Sequence, residues 1–172
     1  KTSLFAGAIL SALVLCLLAA ENLLVLHNSD AAMDGVYEQS VVPSSTLLDM
    51  ERKLTETRFN MAAIMFDKVP FDQAELQLGE VKAALPVLWQ AFKQAKGTKL
   101  TEEEQRLISM IEGQMNALDP FYKLLATAYT SRDKIMARSI LDDDWPPIEA
   151  GVLSPVTKLA TLQKEKVKAE HS

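Results

Sequence analysis

The chain has 172 residues, 48% apolar and 24% charged, with a formal net charge of −5 at pH 7. That length supports one domain with a real core, and without a basic block nucleic acid is not an expected partner. Six glycines, seven prolines and no alternating apolar/polar run argue against a sheet, and the single cysteine, Cys16, excludes an internal disulfide.

The sequence starts at Lys1 without a methionine and reads as an excised piece of a longer chain. Leu4 to Ala20 is an almost unbroken apolar run, and Leu23 to Leu26 extends it past Glu21-Asn22. Roughly 20 such residues cross a bilayer, so residues 1–26 are expected to form a transmembrane anchor, with Lys1 on the cytoplasmic side. A cleaved signal peptide ending at Ala19-Ala20 is a rival, disfavoured by Leu18. A buried core helix is another, disfavoured because the run is apolar on every side.

Residues 27–172 read as an extracytoplasmic four-helix bundle. The first helix is expected from His27 to Asp67, with a bend at Pro43 and a stop at Val69-Pro70. Leu47, Met50, Leu54, Thr57, Met61 and Ile64 are spaced 3-4-3-4-3, the seam of a helix packed at a small angle against others. Arg58 follows Leu54 by four residues, so its stem shares one edge of that seam. It either snorkels there or faces an anionic ligand.

The second helix is expected from Asp72 to Lys96, with Asp72 as N-cap and Glu75 completing a capping-box-like pair. Leu78, Val81, Leu85, Leu88, Phe92 and Ala95 form its seam, Pro86 predicts a bend, and Gly97 predicts a left-handed C-cap. The third helix opens on the capping box Thr101-Glu102-Glu103-Glu104. Leu107, Ile111, Met115, Leu118, Tyr122, Leu125 and Tyr129 make its stripe, with a local bend at Asp119-Pro120 and an end near Thr130-Ser131.

The fourth helix is expected from Ser131 or Asp133 to about Glu170. Ile135, Met136, Ile140, Ile148, Val152, Val156, Leu159 and Leu162 carry its face. Asp142 to Pro147 reads as a kink rather than a true start. Three consecutive aspartates there suit a divalent cation or, with less chemistry, an acidic solvated bend. The first and fourth helices come out at about 40 residues, roughly 60 Å. Short connections imply an antiparallel up-down-up-down bundle whose longer helices reach the membrane end. Pro43 and Pro155 fall at nearly one height, which pairs the first helix with the fourth, and a second spanning helix is expected after Ser172.

No Cys-x-x-Cys-His, Glu-x-x-His pair, Gly-rich phosphate loop or Ser/His/Asp arrangement is present. The only histidines, His27 and His171, lie outside the core pattern. No catalytic residue, metal site or cofactor is expected. The seven methionines, with Trp89 and Trp145, read as core or interface filler.

With this layout the chain resembles the four-helix-bundle sensor domain of methyl-accepting chemotaxis receptors. Loose matches are Val41-Val42-Pro43, Trp145-Pro146-Pro147-Ile148 and Ser154-Pro155-Val156-Thr157-Lys158-Leu159. The sharpest is Glu56-Thr57-Arg58-Phe59-Asn60-Met61, similar to the T-R-x-N-hydrophobic segment of enteric aspartate and serine receptors. The resemblance implies a homodimer in which Arg58 binds a ligand carboxylate at the dimer interface, with Asn60 beside it. It also implies cytoplasmic output modules beyond this piece. Two further arginines of the enteric receptors are replaced here by Ala63 and Asp67, so the aspartate-binding constellation is absent.

Arg132, Lys134 and Arg138 open the fourth helix instead, beside Tyr129 and Thr130. A forked guanidinium with hydroxyl donors suits a carboxylate, and cations at a helix N-terminus oppose its dipole. The expected function is therefore sensing of a small organic anion by Arg58, Asn60, Tyr129, Thr130, Arg132 and Arg138. Alternatives are the same module on a histidine kinase or cyclic-dinucleotide enzyme, and a membrane-tethered bundle without a small ligand.

Overall fold

A 3-4 apolar repeat can bury itself only against other helices, and four such repeats build the bundle of the computed structural model. The structure describes residues 42–96 and 99–170. The apolar run to Leu26, Cys16, both histidines and Gly97 lie outside the described residues. The described helices are α1 (Val42–Met65), α2 (Phe71–Ala95), α3 (Glu102–Thr130), α4 (Lys134–Ser139), α5 (Trp145–Ile148) and α6 (Ser154–Glu170). The last three are joined by π-helical turns at Ile140–Asp144 and Glu149–Leu153 into one continuous fourth helix. Among the described residues there is no strand, and no helix is long and apolar enough to cross a membrane.

The core follows the seams. Leu47, Met50, Leu54, Thr57, Met61 and Ile64 of α1 are all buried. They meet Leu78, Val81, Leu85 and Phe92 of α2, Leu107, Ile111, Leu118, Tyr122, Leu125 and Tyr129 of α3, and Ile140, Ile148, Val152, Val156 and Leu159 of the last helix. Each fully buried Leu, Ile or Met contributes roughly 1.5–3 kcal/mol of apolar transfer, an upper bound before chain entropy is counted. Trp89 and Trp145 are core residues; Trp89 is more deeply placed than its expected neighbour Leu88.

Cross-helix pairs fix the sense of each helix. Lys53–Glu80 and Asn60–Gln77 link α1 to α2, and Lys82–Asp119 and Lys93–Glu112 link α2 to α3. Gln163–Glu104 links α6 back to α3. From α1 to α2 and from α2 to α3 the residue numbers of these pairs rise on one helix as they fall on the other.

Several expectations change. Asp72 does not cap the second helix: the N-cap is Pro70, with no side-chain cap bond. Proline brings a fixed φ suited to a helix start and no N–H to satisfy. The Asp72 carboxylate instead accepts from Arg132 at 3.0 Å, and Glu75 accepts from Thr130 at 2.8 Å. Ile135, assigned to the core face, is 84% exposed, because it sits on the first turn of α4 where the bundle ends. Pro43 falls in the first described turn of α1, and Pro86 and Pro120 lie inside α2 and α3, which continue past them as the sequence reading expected.

The expected kink at 142–147 is a pair of widened turns. A proline inside an α-helix collides with the carbonyl four residues before it. For Pro146, Pro147 and Pro155 those carbonyls belong to Asp142, Asp143 and Gly151, and all three lie inside a π turn. The Trp145 N–H reaches back five residues to the Ile140 carbonyl, and the Ser154 N–H to that of Glu149. The extra residue in each turn moves the obstructing carbonyl aside, so the helix passes three prolines without ending.

Candidate functional site

α1 carries two stripes. The inner one is the core seam. The outer one, Leu48, Arg52, Thr55, Phe59, Ala62 and Phe66, repeats at 4-3-4-3-4 on the opposite side. Leu48 is 50% exposed, Phe59 63% and Phe66 74%. Leu48, Glu51, Arg52, Thr55, Glu56 and Phe59 line an open groove along this face. This mixed stripe, with three exposed apolar side chains beside Arg52 and Thr55, was missed in the sequence. Its signal was a second heptad spacing on the same helix.

Arg58 stands beside Phe59 and is exposed. Its Nη1 lies 3.8 Å from Glu149 Oε1, and Glu149 Oε2 accepts from the Trp145 indole N–H at 3.0 Å. Trp145 is buried against Phe121, with ring centroids 5.9 Å apart. An exposed cation on α1 is thereby joined, through one carboxylate at the head of the second π turn, to an aromatic in the core.

The other expected site residues are distributed differently. Asn60 is buried, and its Nδ2 donates to Gln77 Oε1 at 2.7 Å. Asn60 and Tyr129 do come together, in a closed crevice on the α2 side, with no room for a water molecule. Burial pushes the Tyr129 phenol pKa well above its ordinary value, and its hydroxyl has no hydrogen-bond partner.

Thr130 and Arg132 face α2 through Glu75 and Asp72. Arg132 also ends α3 in a left-handed conformation, φ 55°, closed by the Asp133 N–H on the Ala128 carbonyl at 2.9 Å. Asp67 does the same for α1 at φ 54° and pairs with Lys134. Asp133 caps α4 by accepting from the Ile135 and Met136 N–H groups at 2.9 Å. Arg138 is exposed, with Asp142 at 3.7 Å on its own helix. The six residues therefore divide among an exposed α1 edge, a closed crevice, a turn and the outside of the last helix.

At the opposite end of α3 lies a buried polar knot. The Thr101 hydroxyl accepts from the Glu104 N–H, and the Glu104 carboxylate accepts from the Thr101 N–H at 2.6 Å, closing the expected capping box. Glu104 also accepts from Gln163 at 2.6 Å and from Lys166 at 2.8 Å. Burial acts to raise its pKa, but Lys166 and Thr101 together outweigh burial and hold it below its ordinary value. The knot ties α6 to the start of α3.

Residues 1–172 match the family described as a four-helix-bundle sensory module for signal transduction. The chain belongs to that family, the sensor of methyl-accepting chemotaxis-type signal transduction proteins. No curated protein and no solved structure gives a significant match.

Proposed function

We propose that the chain is the periplasmic ligand-sensing module of a bacterial inner-membrane chemoreceptor, an antiparallel up-down-up-down bundle hung from an N-terminal transmembrane helix. It binds a small organic carboxylate at Arg58 and acts as a homodimer paired through the outer stripe of α1. The observation that carries this reading is the long, exposed Arg58–Glu149 pair. A ligand carboxylate offers Arg58 a bidentate partner, which Glu149 at 3.8 Å does not.

Binding would release Glu149 from α1 while leaving it on Trp145. It shifts the population between two packings of the last helix against α1. A slide of order 1–2 Å is a known response of packed helices. The two π turns, where the last helix departs from α-helical spacing, support this reading. Arg138 is a second exposed cation for an anion on that helix. Thr130 and Arg132 first have to leave their α2 partners, and Asn60 and Tyr129 require the crevice to open. Cytoplasmic output follows the segment described here, either the chemotaxis signalling hairpin or a histidine kinase or cyclic-dinucleotide enzyme.

One observation favours a second reading, a tethered bundle with no small ligand. Lys134, Arg132, Arg58 and Arg138 each already have a carboxylate partner. Thermal melts with mono-, di- and tricarboxylates separate the two. A ligand raises the melting temperature by mass action, and Arg58→Ala removes the shift. No shift with any anion favours the tethered bundle.

A further inference from the structure

Glu104, at the start of α3, is the only fully buried carboxylate among the described residues. The sensing reading makes no use of it. Two of its donors come from α6: Gln163 Nε2 at 2.6 Å and Lys166 Nζ at 2.8 Å. Gln163 is itself buried, and Lys166 also donates to the Lys99 carbonyl at 3.2 Å. The Thr101 N–H, at 2.6 Å, holds the carboxylate on α3. Gln163 and Lys166 lie three residues apart, so they present their donors on one face of α6. Only one axial position of α6 supplies both. A slip of four residues, about one turn, would set Leu159 and Leu162 against Glu104 in one direction and Val167 in the other. A slip of three would leave one donor beside Ala160 or Ala169. A buried carboxylate stripped of its donors is costly, whereas the aliphatic face of Val152, Val156 and Leu159 discriminates far less between such positions. The π turn Glu149–Leu153 runs directly into α6. It holds one residue more than an α turn, which gives the helix slack where its register would change.

We propose that Glu104, Gln163 and Lys166 form a register lock: they hold α6 in one axial position against α3, and the last helix shifts there only when their hydrogen bonds open. Such a lock costs stability and adds uniqueness, the use to which a single polar group is put in the apolar seam of a coiled coil. While it is closed, any displacement of α6 carries the start of α3 with it. The lock acts whether or not Arg58 binds a carboxylate.

The test is a distance measurement in the 172-residue chain between spin labels at Asn116→Cys and Lys164→Cys, both exposed positions, with Cys16→Ser to remove the native thiol. Labelled chain is diluted with unlabelled chain so that only distances within one chain are read. Wild type should give one narrow distance. The apolar triple variant Glu104→Leu/Gln163→Leu/Lys166→Met should melt no lower than wild type, yet its distance distribution should broaden or split by about 5 Å, one helical turn. Lys166→Met alone keeps the capping box and should broaden the same distribution, so it reads the lock even if the triple variant does not fold. Arg58→Ala should leave the single distance unchanged, which separates failure of the carboxylate reading from failure of this one. One narrow distance in every folded lock variant, or two distances in wild type, would overturn the proposal.

Discussion

Arg58 of the first helix and Glu149 of the last meet at 3.8 Å, and Glu149 also accepts from the Trp145 indole at 3.0 Å. In the proposed reading, Glu149 competes with a ligand carboxylate for Arg58. Glu149→Gln keeps an acceptor for Trp145 but removes the competing charge. Carboxylate affinity should rise severalfold, read by calorimetric titration. Stability without ligand should change by less than ~0.5 kcal/mol, because both partners are exposed to solvent.

The outer stripe of α1 predicts self-association. Phe59→Glu places charge in the middle of it, on a residue already 63% exposed. Sedimentation should show wild-type dimers and Phe59→Glu monomers, while the bundle's own melting changes by less than ~1 kcal/mol. Equal sedimentation of both proteins would remove the dimer from the account.

Three helical glycines give opposite signs. A Cβ at Gly79 or Gly113 meets open space, so alanine there should stabilise by about 0.5–1 kcal/mol through helix propensity. A Cβ at Gly151, in the second π turn, would stand 2.8 Å from Gln114 Cγ. Gly151→Ala should destabilise by about 1 kcal/mol, and Gln114→Ala should restore it in the double variant. Denaturant melts of the four variants settle the signs.

Glu104 predicts an acid-sensitive joint. Its pKa is held below the ordinary carboxylate value, so its stabilising contribution is complete above the unfolded-state value, ~4.3, and is lost as pH falls through the folded one. Wild type should lose more stability between about pH 6 and pH 3 than Glu104→Gln, whose amide does not titrate. Parallel melting curves for the two would contradict this.

The inner seams were legible because a 3-4 repeat has one way to be buried: Leu47 through Ile64 all point inward. The capping box at Thr101 was equally local, two side chains and two N–H groups within one turn. Features that depend on a partner helix were not legible. Asp72 has the residue type of a cap, but Pro70 starts the helix earlier and Arg132, distant in sequence, takes the carboxylate. Three aspartates and two prolines signal a break, yet hydrogen bonds five residues long carry the helix through. For the site, sequence picked out Arg58, but nothing local distinguishes its partner Glu149 from other surface acids. Asn60 was read beside Arg58 and Tyr129 beside the cations of the last helix, whereas both line a closed crevice facing α2, a placement that only the packing of α1, α2 and α3 together determines.

The most direct measurement is the thermal shift of the 172-residue chain and its Arg58→Ala variant across a panel of small carboxylates. At a free concentration about 100 times Kd, a true ligand adds ~2.7 kcal/mol, a rise of about 5–10 °C for a domain of this size. At least one carboxylate should produce that rise in wild type and none in Arg58→Ala. A shift that survives in Arg58→Ala, or no shift with any carboxylate, would contradict an anion-sensing role for this residue.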